Sequence, residues 1–265
     1  MKVLNNRINL SSFLHKVSIS PETIILLDYD GTLAPFRKER SKAFPYRGIK
    51  KTLTQLISLN NCKIIIVSGR SVNDIRLLLD LEKYPEIWGC HGAERMTEDG
   101  NLLKTELSQQ TIKDLDEAKE AVIKKGLWER CEQKYSSLAL HWRDLPPIKI
   151  KNLKKIAVNI WGDIIRRNNL TISDFDGGIE IRPENITKGN VVDSILNQSR
   201  EGMPVIYMGD DFTDEDAFRA LKGKGLSILV KPEFRSTEAD IWLKPPGELL
   251  DFLYNLAEAL GTNYE

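Results

Sequence analysis

The chain has 265 residues, with 38 lysines and arginines against 38 aspartates and glutamates, so no net field draws it to nucleic acid or to an anionic membrane. That length holds one large domain, or a domain of about 150 residues carrying a smaller one. Cys62, Cys90 and Cys131 are odd in number and far apart, His15, His91 and His141 lack metal-ligand spacing, and no run reaches the roughly 18 apolar residues of a membrane span. These counts exclude a disulfide scaffold and a His/Cys zinc site, and lead us to expect reduced thiols in a cytoplasmic protein.

The first expected element is a short apolar strand over residues 23–27 that ends in Asp28-Tyr29-Asp30-Gly31. A helix at 47–58, a strand at 63–67, a helix at 72–79 and a strand at 86–90 follow, which is the βαβαβ order of a parallel sheet. From about residue 105 the pattern changes. A helix at 111–124 precedes strands at 128–133 and 137–142, then a helix from Pro146-Pro147 to about residue 168, and strands at 170–175 and 178–182 around the hairpin turn Asp176-Gly177-Gly178. Alternation resumes with a helix at 189–197, a strand at 205–208, a helix at 215–221 and a strand at 226–230. The expected fold class is therefore α/β: a Rossmann-like parallel-sheet core over 1–104 and 184–265, interrupted at 105–183 by an inserted α+β cap.

Three of these apolar strands end in reactive groups, and in an open parallel sheet such ends share one edge, where ligands collect. Asp28 and Asp30 face one way by the period of two along a strand, while Tyr29 faces the other. Two carboxylates this close repel unless a cation or a proton lies between them, and a hard cation such as Mg²⁺ suits them. An EF-hand is excluded because the third oxygen ligand before the glycine and the closing glutamate are missing. The second strand end is Ser68-Gly69-Arg70 and the third is Gly209-Asp210-Asp211-Phe212-Thr213-Asp214, while Lys188 opens the helix after the insertion.

Together these groups meet the needs of phosphoryl transfer, which are positioning and charge stabilisation. Asp28 is the in-line nucleophile and Asp30 the proton donor and acceptor. Asp210 joins Asp28 and the Asp30 backbone carbonyl in a Mg²⁺ site, Ser68 and Lys188 hold the phosphoryl oxygens, and Asp211 or Asp214 orients metal-bound water or Lys188. Asp211 and Asp214 are also carried as metal ligands.

These four elements resemble the motifs of the haloacid dehalogenase superfamily. More closely, Leu27-Asp28-Tyr29-Asp30-Gly31-Thr32-Leu33-Ala34-Pro35, Ser68-Gly69-Arg70, His91-Gly92-Ala93-Glu94, Glu132-Gln133-Lys134, His141-Trp142-Arg143, Glu180-Ile181-Arg182-Pro183 and Gly209-Asp210-Asp211 with Thr213-Asp214-Glu215-Asp216 look like the trehalose-6-phosphate phosphatases. The resemblance runs from about residue 23 to 230 and departs from the pattern at Trp142, where a tyrosine is usual. It implies a Mg²⁺-dependent phosphatase acting through an aspartyl phosphate, with Glu132, Lys134, Arg143 and Glu180, and more weakly His141 and Glu94, as sugar ligands, and Gly69 and Arg70 beside the substrate. A trehalose-phosphate synthase is the candidate protein partner. Other readings stand beside it: a phosphatase for sucrose phosphate, glucosylglycerol phosphate or mannosyl phosphoglycerate, a phosphomutase, or a catalytically silent sugar-phosphate-binding regulator.

Overall fold

The computed structural model describes residues 1–37 and 39–261, and these divide into two compact units, Met1–Leu103 with the residues from Lys188 on, and Lys104–Thr187. The first unit opens with β1 (Lys2–Val3) and α1 (Leu10–Ile19), then alternates β2 (Thr23–Leu27), α2 (Ile49–Ser58), β3 (Cys62–Val67), α3 (Val72–Leu79) and β4 (Glu86–Gly89) before the short strands β5 (Glu94–Met96) and β6 (Leu102–Lys104). The second contains α4 (Gln109–Lys124), β7 (Cys131–Gln133), β8 (Leu138–His141), α5 (Pro147–Arg167), β9 (Leu170–Phe175) and β10 (Gly178–Pro183). The first unit then resumes with α6 (Lys188–Gln198), β11 (Val205–Gly209), α7 (Glu215–Leu221), β12 (Leu226–Val230), β13 (Ile241–Leu243) and α8 (Gly247–Gly261).

Its sheet has the order β1-β13-β12-β11-β2-β3-β4-β5-β6. The run from β13 to β4 is parallel throughout, and β1 and β5 are added antiparallel at its two flanks. Strict alternation explains why both faces are apolar. Ile25 and Leu27 of β2 pack with Leu53 and Leu56 of α2 and Leu253 of α8, whereas Ile24 and Leu26 pack with Val191 and Ile195 of α6 and Phe218 of α7. Each such fully buried aliphatic side chain contributes about 1.5–3 kcal/mol. Cross-strand register sets the level of the strand ends, because Leu27 pairs with both Met208 and Ile66. Asp28, Ser68 and Asp210, which come next in each strand's exit, therefore emerge side by side.

The second unit is an antiparallel sheet of order β7-β8-β10-β9. Leu138, Leu140, Ile179 and Ile181 of its central strands pack on Ala118 and Val122 of α4 and Ala157 and Trp161 of α5. The other face of the sheet carries Glu132, Ala139, Glu180 and Ser173 in one cross-strand row. Ser108 caps α4 by accepting the Thr111 amide (3.0 Å), and Pro147 sits in the first turn of α5, where a missing N–H costs nothing.

The expected strand at 128–133 begins only at Cys131. The chain leaves α4 through Gly126 (φ +67°) and winds one 3-10 turn, Trp128–Arg130, before it extends. Elements outside the sequence-based alternation are β1, α1, β5, β6, β13 and α8. For α8 the signal exists, since Leu249, Leu253, Leu256 and Leu260 repeat at helical spacing and are all buried. Among the described residues no helix is long and apolar enough to cross a membrane.

Candidate active site

Lys188, the first residue of α6, carries its ammonium into the edge of the sheet. Its Nζ donates to Asp28 Oδ1 (2.6 Å) and Asp214 Oδ1 (2.7 Å), and all three side chains are buried. Asp214 is the hub of the arrangement. Oδ1 also accepts the Tyr207 hydroxyl (2.7 Å), and Oδ2 accepts the backbone amides of Asp210 (3.0 Å) and Asp211 (2.9 Å). Four donors thus saturate a carboxylate that has no exposure to solvent.

Asp28 Oδ2 accepts the Thr32 hydroxyl at 3.2 Å, and the Asp28 amide continues the sheet by donating to the Met208 carbonyl (2.9 Å). Tyr29 turns into the core, where its hydroxyl donates to the Ala43 carbonyl (2.7 Å). Asp30 is gripped by a two-pronged guanidinium: Arg70 Nε donates to Oδ2 (2.6 Å) and Nη2 to Oδ1 (2.7 Å), while Nη1 is anchored on the Arg40 carbonyl (3.0 Å). This planar fork fixes both oxygens of Asp30 in one orientation. Gly31 (φ +82°) turns the chain under Asp210, where a Cβ would lie 2.3 Å from Asp210 Oδ2.

Ser68 is buried and its Oγ accepts the Arg70 amide (3.2 Å). A Cβ on Gly69 would meet the His91 imidazole at 2.7 Å. Cys90 and His91 both adopt left-handed backbone conformations, and their amides donate to the Arg70 (2.7 Å) and Ser68 (2.9 Å) carbonyls, which ties the end of β4 to the exit of β3. Glu94 Oε2 accepts the Val72 amide (3.0 Å) and so braces the start of α3 beside the Ser71 cap. Asp211 Oδ1 caps the following turn through the Phe212 amide (2.8 Å).

The remaining sequence-based candidates lie in the second unit. Glu180 Oε1 accepts Lys134 Nζ (2.8 Å) and Ser137 Oγ (2.7 Å), with Glu180 buried and Lys134 partly so. His141 Nε2 is 3.0 Å from Glu132 Oε2, with its ring edge-on to Phe175. Arg143 Nη2 donates to the Asp176 carbonyl (2.6 Å) and closes the hairpin turn. Trp142 points to the opposite side of the sheet and packs in the α4/α5 core.

Three residues absent from the sequence-based set complete the first-unit cluster. Tyr207 has no polar signal in its apolar strand. Arg235 donates to the Asp210 (3.1 Å) and Asp211 (2.7 Å) carbonyls and pairs with Glu215. Lys231 follows the apolar run of β12 as the aspartates follow theirs, a signal that was legible, and its Nζ lies 3.4 Å from Asp210 Oδ2.

Electrostatics show what the cluster wants. Burial, then the Asp28, Asp214 and Asp211 charges, raises the Asp210 carboxyl well above its usual range, with Lys231 opposing. Asp28 is pushed up to about 7 by burial and by Asp214 and Asp30, against the pull of Lys188. Burial alone would lower Lys188, but Asp214 and Asp28 raise it, so it stays an ammonium. The cluster thus carries more negative charge than its burial tolerates. Asp28, Asp210 and Asp214 offer oxygens within 4.8 Å of one another, and Asp210 Oδ1 is buried without a hydrogen-bond partner. That orphaned oxygen and an all-oxygen donor set fit a hard divalent cation.

Comparison with known proteins gives concordant matches. Residues 26–241 match the family described as trehalose-phosphatase. The trehalose-phosphate phosphatase of Mycobacterium marinum is 30% identical over 256 residues, covering 91% of this chain and 63% of the relative, so the chain spans under two thirds of that protein's length. The C-terminal domain of Candida albicans trehalose-6-phosphate phosphatase superposes with a TM-score of 0.81 at 22% identity, covering 97% of this chain and 99% of that one. A phosphatase of the haloalkanoate (HAD) enzyme superfamily from Bacteroides thetaiotaomicron gives a TM-score of 0.58 at 14% identity, over 94% and 97% of the two chains.

Proposed function

We propose that this chain, which belongs to the trehalose-phosphatase family, hydrolyses trehalose 6-phosphate to trehalose and phosphate with Mg²⁺ as cofactor. The observation that carries the reading is the buried Lys188 ammonium bridging Asp28 and Asp214 beside the unpartnered Asp210 oxygen. Asp28 and Asp210 would hold the Mg²⁺, which supplies positive charge to the phosphoryl oxygens. Asp214, whose oxygens already accept four donors, holds Lys188 and the Asp210-Asp211 backbone in place.

In the first step Asp28 attacks phosphorus, the bond to the sugar oxygen breaks, and Asp30 delivers a proton to that oxygen. In the second, water attacks the phosphorus while Asp30 takes its proton, the bond from phosphorus to the Asp28 oxygen breaks, and phosphate leaves with Asp28 restored as a carboxylate. Lys188 and Ser68 steady the phosphoryl oxygens as charge moves between them. The proton that Asp30 takes in the second step is the one it delivers in the next first step, and the Arg70 fork keeps Asp30 in one orientation for both transfers. We read Arg70, Gly69 and Glu94 as builders of the site: Arg70 aims Asp30, Gly69 leaves room for His91, and Glu94 fixes α3.

The second unit, about residues 105–183, is the substrate-specificity cap in this reading. Glu180 with Lys134 and Ser137, Glu132 with His141, and Arg143 offer the carboxylate and cationic partners that sugar hydroxyls require. The setting we propose is cytoplasmic, with a diffusible sugar phosphate as the substrate. The test is phosphate release from trehalose 6-phosphate, sucrose phosphate, glucosylglycerol phosphate, mannosyl phosphoglycerate and p-nitrophenyl phosphate, with and without Mg²⁺ and with Asp28→Asn as blank. Release selective for trehalose 6-phosphate, dependent on Mg²⁺ and absent in the variant is the expected result. Binding without turnover on any sugar phosphate would sink it in favour of a regulator.

A further inference from the structure

The cluster contains a second lysine for which the reaction has no evident need. Lys231 leaves the C-terminal end of β12, next to β11 in the parallel sheet, where Leu229 pairs with Gly209. Both of its backbone groups are committed on the far side: its amide donates to the Leu243 carbonyl (3.0 Å), and its carbonyl accepts Trp242 Nε1 (2.8 Å). The root of the side chain is therefore fixed, and the ammonium reaches Asp210 Oδ2 at 3.4 Å. That contact differs in kind from those of Lys188. Lys188 is fully enclosed and bonds two carboxylates at 2.6 and 2.7 Å, whereas the Lys231 side chain keeps 24% of its exposure and stands at the loose end of ion-pair distance.

Charge counting gives this contact a role. Leaving aside Asp211, which is only partly buried and whose Oδ1 caps the next turn on the Phe212 amide, the converging buried carboxylates Asp28, Asp210 and Asp214 bring three negative charges, and Lys188 alone leaves two uncompensated, the complement of a divalent ion. With Lys231 the cluster is one charge short of that complement. We propose that Lys231 is a positioning residue that serves as the resident counter-charge of Asp210, competing with the divalent cation for that carboxylate so that the ion is held loosely and the loaded site keeps a net positive charge for the incoming phosphate. This rests on the divalent-cation reading above. When no ion is bound, the ammonium offsets the repulsion that Asp28 and Asp214 exert on Asp210. When the ion takes Asp210, the long unbranched stem and its solvent exposure let the ammonium withdraw.

The test is calorimetric titration of the metal-free full chain with MgCl₂, for the wild type, Lys231→Met and Lys231→Arg, with the melting temperature of each metal-free protein recorded alongside. Removing a unit positive charge next to a ligand carboxylate should tighten Mg²⁺ binding about tenfold in Lys231→Met. Lys231→Arg, which keeps the charge, should stay within about threefold of wild type. The metal-free melting temperature should fall in Lys231→Met and recover in Mg²⁺. A lysine needed only for packing would give the opposite sign, weaker Mg²⁺ binding. Unchanged or weakened binding in Lys231→Met overturns the proposal while leaving the phosphatase reading intact. Should the wild type itself take up no divalent ion, the metal reading falls and this inference falls with it. Should Lys231→Met fail to fold, tighter binding in Lys231→Gln, or its absence, decides the matter.

Discussion

Replacing Asp214 by asparagine keeps the volume of a fully buried side chain but changes what it can accept. The carboxylate takes Lys188 and Tyr207 on one oxygen and the Asp210 and Asp211 amides on the other. An amide can serve only one of these pairs through its oxygen and turns an NH₂ on the other, donor against donor. Removing one partner of a buried ion pair costs about 3–5 kcal/mol. Lys188 keeps Asp28, and the loss of one negative charge relieves Asp28 and Asp210, so the lower end, about 3 kcal/mol, applies. At roughly 2–4 °C per kcal/mol for a chain of this size, the melting temperature of the metal-free protein should drop by about 6–12 °C in scanning calorimetry. Turnover of trehalose 6-phosphate should fall by about 100-fold or more, because Lys188 and the Asp210 loop lose their common anchor. Mg²⁺ affinity should suffer less than in Asp210→Asn, since the Asp214 oxygens already accept four donors whereas Asp210 Oδ1 accepts none. A variant that melts within about 2 °C of wild type and turns over within about threefold would refute the reasoning.

Arg70→Lys replaces a two-pronged grip by a single ammonium, at the cost of a charge-assisted hydrogen bond of about 1.5–3 kcal/mol. It should slow trehalose 6-phosphate, whose leaving oxygen needs a proton, at least about tenfold more than p-nitrophenyl phosphate. Equal losses in steady-state kcat/KM would contradict the role given to the fork. Within the cap, Glu180→Gln should lower kcat/KM for trehalose 6-phosphate and spare p-nitrophenyl phosphate, whereas Trp142→Tyr, in the helix-facing core, should cost about 1–3 kcal/mol in urea unfolding and leave kcat/KM unchanged; the converse pattern would reverse the assignment of the two faces. Burial pushes the Cys62 thiol up to about 12 and Cys131 up to about 11. Both thiols should therefore stay protonated at pH 8 and react with iodoacetamide at least about tenfold more slowly than in urea, by mass spectrometry of the alkylated peptides. Native and unfolded rates that coincide would show that this burial does not hold in solution.

The parts of the fold that could be read from sequence are those whose burial is two-sided. Ile24 to Leu27 and Ile64 to Val67 are apolar because both faces of their strands are covered by helices, and such runs leave an unbroken signal. The strand exits were legible for the same reason, since a charged residue that ends a buried run must sit at the sheet edge. Register was not legible. That Asp30 meets Arg70, that Arg235 reaches back to the Asp210 and Asp211 carbonyls, and that Tyr207 rather than a purely apolar residue underlies Asp214 all depend on which strands are neighbours. Glu94 shows the complementary limit. Its motif marks it as a candidate sugar ligand, and that one of its oxygens also accepts the first amide of α3 is something only backbone geometry reveals.

Lys188 lies 160 residues after the carboxylate it neutralises. At a synthesis rate of about 5–20 residues per second, Asp28 emerges some 8 to 32 s before its lysine exists. Arg70, by contrast, follows Asp30 by 40 residues, so that pair can form early. Throughout the delay Asp28 must remain hydrated or protonated, and the edge of the growing sheet cannot close over it. The order of the chain thus makes completion of the buried cluster a late event on the ribosome, and a product truncated before α6 would carry Asp28 without the charge that lets it be buried.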